Sequence, residues 1–363
     1  MKVERLEVSI YRIPTDHPEA DGTFQWDSTT LVLVEAVADS GVRGLGFSYT
    51  TAAAGQLIQD MLAEEVIGRP VEHIGAAWEG MVRAVRNVGQ PGVAATAISA
   101  VDTALWDLRA RALELPLFHL LGIYRERVPI YGSGGFTTYS EKELVKQLAG
   151  WVKQGISKVK MKVGKDWGTK QEEDIARVSA VRRAIGPDAE LFVDANGAYT
   201  AKQAIDLAQH FAEQGVTYFE EPVPFDHLDQ LAFIRQHSPI AIASGEYGYS
   251  MYDFRNVLEA RAVDILQADA TRCLGITGCL QAATLAYTYG IPLSTHTAAS
   301  IHAHICCAVP QLEHLEYFYD HVRIENMLFE GVLQPQDGYL RPDPSRPGLG
   351  LEFKASDAQQ WKI

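Results

Sequence analysis

The chain has 363 residues, 47% hydrophobic and 21% charged, enough for one large α/β domain, a smaller one and a substantial core. Its formal charge of −14 argues against a polyanionic partner, so no nucleic acid is expected, although a small anion can still bind where the local sign is opposite. No apolar run is long enough to span a bilayer, so no membrane partner is expected, and "MKVERLEVSI" reads as a charged strand rather than a secretory leader.

Up to about residue 125 strands come first: "VERLEVSIYRI", "TTLVLVEAVA" and "GLGFSYT". Helical periodicity follows in "AGQLIQDMLAEEVIG", "HIGAAWEGMVRAV" and "GVAATAISAVDTALWDLRARAL". Strands followed by helices predict a small α+β domain over residues 1–125. The polar, turn-rich "PTDHPEADGTFQWDS" between the first two strands predicts a long loop, functional or mobile.

From residue 126 short apolar strands alternate with amphipathic helices such as "KQEEDIARVSAVRRAI" and "AKQAIDLAQHFAEQG". Eight strand-like segments in strict alternation predict a closed parallel barrel over residues 126–323 rather than an open doubly wound sheet. No G-x-G-x-x-G follows the first of these strands, so the dinucleotide-binding alternative lacks its fingerprint. The glycines of "GSGG" (Gly132 to Gly135) and "GVRGLG" read as turn glycines. Residues 324–363, rich in Pro and Gly, read as a tail that returns to cover the first domain. The four cysteines, Cys273, Cys279, Cys306 and Cys307, fit no zinc spacing, and a reduced cytoplasm is expected.

The barrel strands stop on charged residues. "FVDAN" delivers Asp194, "YFEEP" Glu220 and Glu221, and "ASGE" Glu246, each one βα unit after the last. Three consecutive strands therefore bring a carboxylate to the C-terminal rim, where barrel enzymes build their sites. Carboxylates also cap helices, but three in step repel one another and call for a cation. All-oxygen ligation selects a hard ion, Mg²⁺, with positions left for water or substrate.

In "ISKVKMKVG" Lys158, Lys160 and Lys162 alternate with Val159, Met161 and Val163. In a closed barrel the apolar row packs on the outer helices and the lysines face inward. Two adjacent ammonium groups, partly desolvated, are expected to lower each other's pKa toward that of a working base, roughly 7–8. "ILQAD" then delivers Asp269 and "LSTH" His296, again one unit apart, a pairing that fixes a tautomer and raises basicity. His302 and His304 read as structural, while Glu316 in "LEHLE" offers a hydrogen-bond donor if protonated.

The order Lys-x-Lys, Asp-x-Asn, Glu-Glu-Pro, Gly-Glu, Asp and His resembles the enolase superfamily, and Lys160-x-Lys162 with Asp269 and His296 resembles its mandelate racemase subgroup. "SAVDTALWDLRAR" and the terminal "RPGLGLEF" extend the likeness over nearly the whole chain. The resemblance implies a modified TIM barrel, (β/α)7β, with an N-terminal α+β capping domain, and Mg²⁺ on Asp194, Glu220 and Glu246. It implies α-proton abstraction from a carboxylate through an enediolate, with Lys162 as base, Lys160 tuning it and touching the substrate carboxylate, and His296 with Asp269 on the other face. Glu316 would donate to the substrate carboxylate, and Asn196 would assist near the metal. A homo-oligomer, dimer to octamer, is implied too. The lactonizing and dipeptide-epimerase branch carries a lysine where this chain has Asp269, which weighs against those activities.

Dehydration of an acid sugar to a 2-keto-3-deoxy acid leads. Racemisation or epimerisation of a 2-hydroxy acid, and cycloisomerisation of a sugar lactone or anhydro-sugar acid, are the alternatives. A non-catalytic binding scaffold lacks support because no catalytic position is missing, and a barrel hydrolase would prefer histidine-rich ligation. Specificity is assigned to the loops, with His17, Trp26 and Tyr49 as substrate-binding candidates beside Asn196 and Arg272. Neither loop holds Lys or Arg, which favours a monocarboxylic acid sugar over a diacid, although Arg272 on the rim leaves the point open.

Overall fold

The computed structural model describes residues 1–363. Three antiparallel strands open it: β1 (Val3–Ala20), β2 (Gln25–Ala38) and β3 (Arg43–Tyr49), paired in that order. The stretch expected as a long loop is instead the arm of a hairpin. Pairing slips between Pro14 and Glu19, a bulge that absorbs the two prolines of the segment. It resumes to Ala20 opposite Gln25. A short turn closes it, in which Asp21 Oδ1 accepts from the N–H groups of Thr23 and Phe24 at 2.6 and 2.8 Å.

The helix Val93–Ala112 crosses this sheet. It fits because β3 carries Gly44 and Gly46, where a Cβ would stand 2.3 Å from the Ala104 carbonyl oxygen and 2.2 Å from that of Ala100. These glycines lie inside a strand and permit close packing, which corrects their reading as turn residues. Gly132 and Gly134 likewise belong to a strand; a Cβ on Gly132 would meet the Trp151 ring at 2.6 Å.

Eight parallel strands then form the barrel: β4 (Val128–Gly134), β5 (Lys158–Lys162), β6 (Glu190–Asp194), β7 (Val216–Glu220), β8 (Ala241–Ser244), β9 (Ile265–Ala268), β10 (Leu293–Thr295) and β11 (Leu312–Phe318). β11 pairs with β4 and closes the cylinder, so no barrel strand has a free edge. Capping boxes start two of the intervening helices, at Ser140 with Glu143 and at Thr200 with Gln203. Val159 and Met161 of β5 point out into the shell core shared with these helices. The lumen is plugged by Tyr131, Phe192, Tyr218, Ala243 and Ile265, a packed floor beneath the rim.

The helix Tyr319–Leu328 follows β11 and runs across the expected boundary at residue 323. The chain then returns to the cap: the Leu349 N–H donates to Asp107 Oδ1 at 2.6 Å, and the Ile363 N–H donates to the Ile10 carbonyl at 3.0 Å. No helix is long and apolar enough to cross a membrane.

Candidate active site

Asp194 and Glu220 are the last residues of β6 and β7, and Glu246 lies just beyond β8. Strand register sets Asp194 beside Lys162 on one side and Glu220 on the other. The three carboxyl groups are buried, with one oxygen of each within 4.8 Å of the others. Glu220 Oε1, Glu246 Oε2 and the nearby Asn196 Oδ1 have no hydrogen-bond partner. Buried oxygens are rarely left so unless something else satisfies them. Three carboxylates and orphaned oxygens, without sulfur or imidazole, suit a hard divalent cation. The backbone here is held tightly: Asn196, Glu221 and Thr297 all adopt positive φ, at 45°, 39° and 50°.

The lysine row faces inward as its alternation requires, at three depths. Lys158 lies lowest and pairs with Glu190 at 3.1 Å. Lys160 is wholly buried, its Nζ 2.6 Å from Glu220 Oε2, 2.8 Å from Glu316 Oε1 and 3.3 Å from Asp194 Oδ2. Lys162 reaches the cavity, 2.5 Å from Asp194 Oδ2. Lys160 does lower Lys162 as expected, but the net shift toward a working base is not reached. Burial pulls both down, but the carboxylates between them outweigh it, and both are held above the ordinary lysine value. Lys160 is wholly buried and, like Asp194 and Glu220, stands behind the residues that line the cavity.

Glu316 departs from expectation in the same way. Burial would raise it, yet Lys160, then His296 and Lys162, hold it well below the usual carboxylate range. Its Oε2 accepts from the Thr297 N–H at 2.8 Å.

Across the rim His296 Nδ1 lies 2.8 Å from Asp269 Oδ2, and its Nε2 lies 3.4 Å from Glu246 Oε2. Asp269 Oδ1 accepts from the backbone N–H and hydroxyl of Thr271, both at 2.7 Å. Although burial opposes it, His296 and Arg272 keep Asp269 ionised far below its ordinary value. His302 sits behind, accepting the Ala270 N–H at Nε2, and His304 meets the Leu349 carbonyl, both structural as expected. Arg272 Nη1 donates to Glu246 Oε1 at 3.1 Å, its Nε is 3.6 Å from Asp269, and it lies over the Tyr247 ring.

Lys162, Asn196, Glu246, Arg272 and His296 line one cavity of about 310 Å³, roofed by Trp26 and Tyr49 of the capping sheet. His17 does not: it lies exposed on the bulged arm of β1, because the bulge turns this stretch away from the mouth. Sequence reasoning missed Asp21, Thr29, Tyr247, Asp320 and His321, which also line it. Asp320 and His321 follow directly on β11, so reading that strand to its end would have found them. A wider cleft of about 660 Å³ beside the hairpin tip, lined by Phe24, Tyr139 and Trp167, contains none of the triad.

Residues 6–122 match the mandelate racemase/muconate lactonizing enzyme N-terminal domain, and residues 143–358 the enolase C-terminal domain-like family. The chain belongs to the mandelate racemase subgroup of the enolase superfamily. Within this subgroup it is similar to a mandelate racemase/muconate lactonizing enzyme-like protein from Rubrobacter xylanophilus, 50% identical with a TM-score of 0.97 over the whole of both chains. It is also similar to a racemase from Streptomyces coelicolor with bound magnesium, 30% identical, with a TM-score of 0.94 over 99% of this chain and all of that one. The arabinonate dehydratase of Saccharolobus solfataricus is 31% identical, covering 92% of this chain and 90% of its own length.

Proposed function

We propose that this enolase-superfamily enzyme dehydrates an acid sugar to its 2-keto-3-deoxy acid, with Mg²⁺ held by Asp194, Glu220 and Glu246. One observation carries the reading: two acid–base groups of different chemistry stand at the two ends of the triad. Lys162 lies against Asp194 at 2.5 Å and His296 against Glu246 at 3.4 Å. Likeness to the arabinonate dehydratase supports the same reaction, and the magnesium of the Streptomyces coelicolor racemase supports the ion.

Held by Asp194, Glu220 and Glu246, Mg²⁺ would neutralise charge developing on the substrate carboxylate and would share the carboxylates that otherwise keep Lys162 protonated. Lys162, once neutral, takes the α-proton. His296, held in one orientation by Asp269, passes a proton to the β-hydroxyl, which leaves as water while the C–O bond gives way to C=C. The resulting enol takes a proton at C3, gives up its C2 hydroxyl proton and becomes the keto acid. Lys160 keeps Glu316 ionised and holds Glu220 in place at 2.6 Å, Asn196 Oδ1 faces the metal site, and Trp26 and Tyr49 shut out water. In this reading residues 126–323 do the chemistry, and residues 1–125 with 324–363 form the cap that selects the substrate. We place the chain in the cytoplasm, where its four free, buried thiols stay reduced, and as a homo-oligomer, which light scattering would test.

Incubating the protein with acid sugars and Mg²⁺ tests the reaction, with the keto acid detected as its semicarbazone. α-Deuterium incorporation from D₂O without keto acid would replace dehydration by racemisation, the reading that likeness to the Streptomyces coelicolor racemase favours. A product of unchanged composition from a lactone or anhydro-sugar acid would indicate a cycloisomerase.

A further inference from the structure

The cap side of the cavity has a charge pattern that the catalytic groups do not explain. Asp21, at the hairpin turn, and Asp320, just past β11, both line it. Thr29 of β2 donates its hydroxyl to Asp320 Oδ2 at 2.7 Å, which fixes that carboxylate at the junction of cap and barrel. Asp21 spends Oδ1 on the three donors of its own turn, Thr23 N–H, Thr23 hydroxyl and Phe24 N–H. Its second oxygen remains to meet a ligand.

No uncommitted cation faces these two acids. Lys162 is engaged by Asp194, and Arg272 by Glu246 and Asp269. Arg323 holds Asp320 at 2.6 Å from outside the cavity, and its other donors go to the Pro14 carbonyl and Met327 Sδ, with Asp16 3.6 Å away. His321 is stacked on Tyr49 with ring centroids 3.4 Å apart, and burial keeps it neutral.

Resting on the dehydratase reading above, we propose that the substrate is a monocarboxylic polyhydroxy acid, an aldonic acid, whose uncharged tail donates hydroxyl protons to Asp21 and Asp320. An aldaric acid would bring a second carboxylate against Asp21, which has no ion-pair partner, and Asp320, whose partner Arg323 lies outside the cavity, with no free cation to receive it, an arrangement that disfavours binding. Hydroxyl donors to carboxylates, in contrast, form charge-assisted hydrogen bonds.

The test compares matched pairs in Mg²⁺: gluconate with glucarate, and galactonate with galactarate. Each is followed by keto-acid formation, by α-deuterium exchange and by calorimetric binding. The expected result is kcat/KM at least about tenfold higher for the aldonate of the reactive pair, with tighter calorimetric binding. Asp21→Asn keeps the turn's acceptor and should shrink the ratio, chiefly by admitting the aldarate; Asp320→Asn checks the second acid independently. Aldarates handled as well as aldonates would overturn this inference and leave dehydration intact. Aldonates exchanging deuterium without forming keto acid would overturn dehydration and leave the inference standing. Tighter binding of aldarates, or no binding of either class, would overturn it even in the absence of turnover.

Discussion

His296 touches both halves of the site: Nδ1 lies 2.8 Å from Asp269, and Nε2 lies 3.4 Å from metal-triad Glu246. Because Asp269 Oδ1 is committed to Thr271, only Oδ2 can fix the imidazole tautomer. Asp269→Asn would keep the Thr271 bonds and turn an amide N–H toward Nδ1, forcing the proton onto Nε2. The expected loss is about 10²–10⁴-fold in kcat, with metal binding retained. Steady-state kinetics beside a Mg²⁺ titration checks it. An unchanged kcat would remove the dyad from the mechanism.

The two deeper lysines should separate stability from chemistry. Lys160→Met would strand Glu220 and Glu316, both buried, without their shared cation. Breaking such a pair from one side costs about 3–5 kcal/mol, readable in urea unfolding. Lys162→Met, at the cavity wall, should cost less stability but lower α-proton exchange by about 10²–10⁴-fold. Equal losses of stability in the two variants would contradict the depth assignment.

Mg²⁺ should raise the melting temperature, since it binds the gathered triad and not the unfolded chain. At a hundredfold excess over Kd the gain is about 2.7 kcal/mol. Chelation should reverse it and abolish activity, and Glu220→Gln should blunt the shift. Thermal unfolding with and without EDTA measures both, and a Tm indifferent to Mg²⁺ would count against the site.

Glu325 supplies a pH dependence separate from catalysis. Burial pushes its carboxyl up to about 7, even though Ser300 donates its hydroxyl and N–H to Oε2 while Oε1 stays unpartnered. Because the folded value lies above the unfolded one of about 4.3, the folded state binds this proton more tightly. The contribution is complete below about pH 4 and disappears as pH rises through 7, in total about 4 kcal/mol. Glu325→Gln mimics the protonated form, so it should flatten that decline and stabilise the protein at pH 8. Denaturant midpoints across pH 4–8 decide it; parallel profiles for variant and parent would refute the assignment.

Much of the barrel was legible in the sequence because its signals are local and repeat. Each strand is short and apolar, five consecutive ones end on or just before a charged or imidazole side chain, and a helix of one unit's length follows. That fixed the positions of Asp194, Glu220, Glu246, Asp269 and His296 around one rim. The lysine alternation could be read for direction because a closed barrel has no solvated edge. The hairpin arm was misread because prolines, glycine and acids look like a loop unless the partner strand and bulge are known. Its consequence was His17, placed in the site by composition and outside it by the bulge.

The sequence by itself determined which residues share the rim and which element carries each, because one βα repeat converts spacing into angular position around a cylinder. Only the tertiary structure decided their charge states and reach. Whether Lys160 is a free ammonium or a buried counter-ion depends on carboxylates delivered by β6, β7 and β11 within about 3 Å. Coulomb interaction at such distances in a buried site outweighs both desolvation and the repulsion of a like neighbour. The acid wall of Asp21 and Asp320 likewise exists only because cap and barrel meet, a contact with no signature in either segment alone.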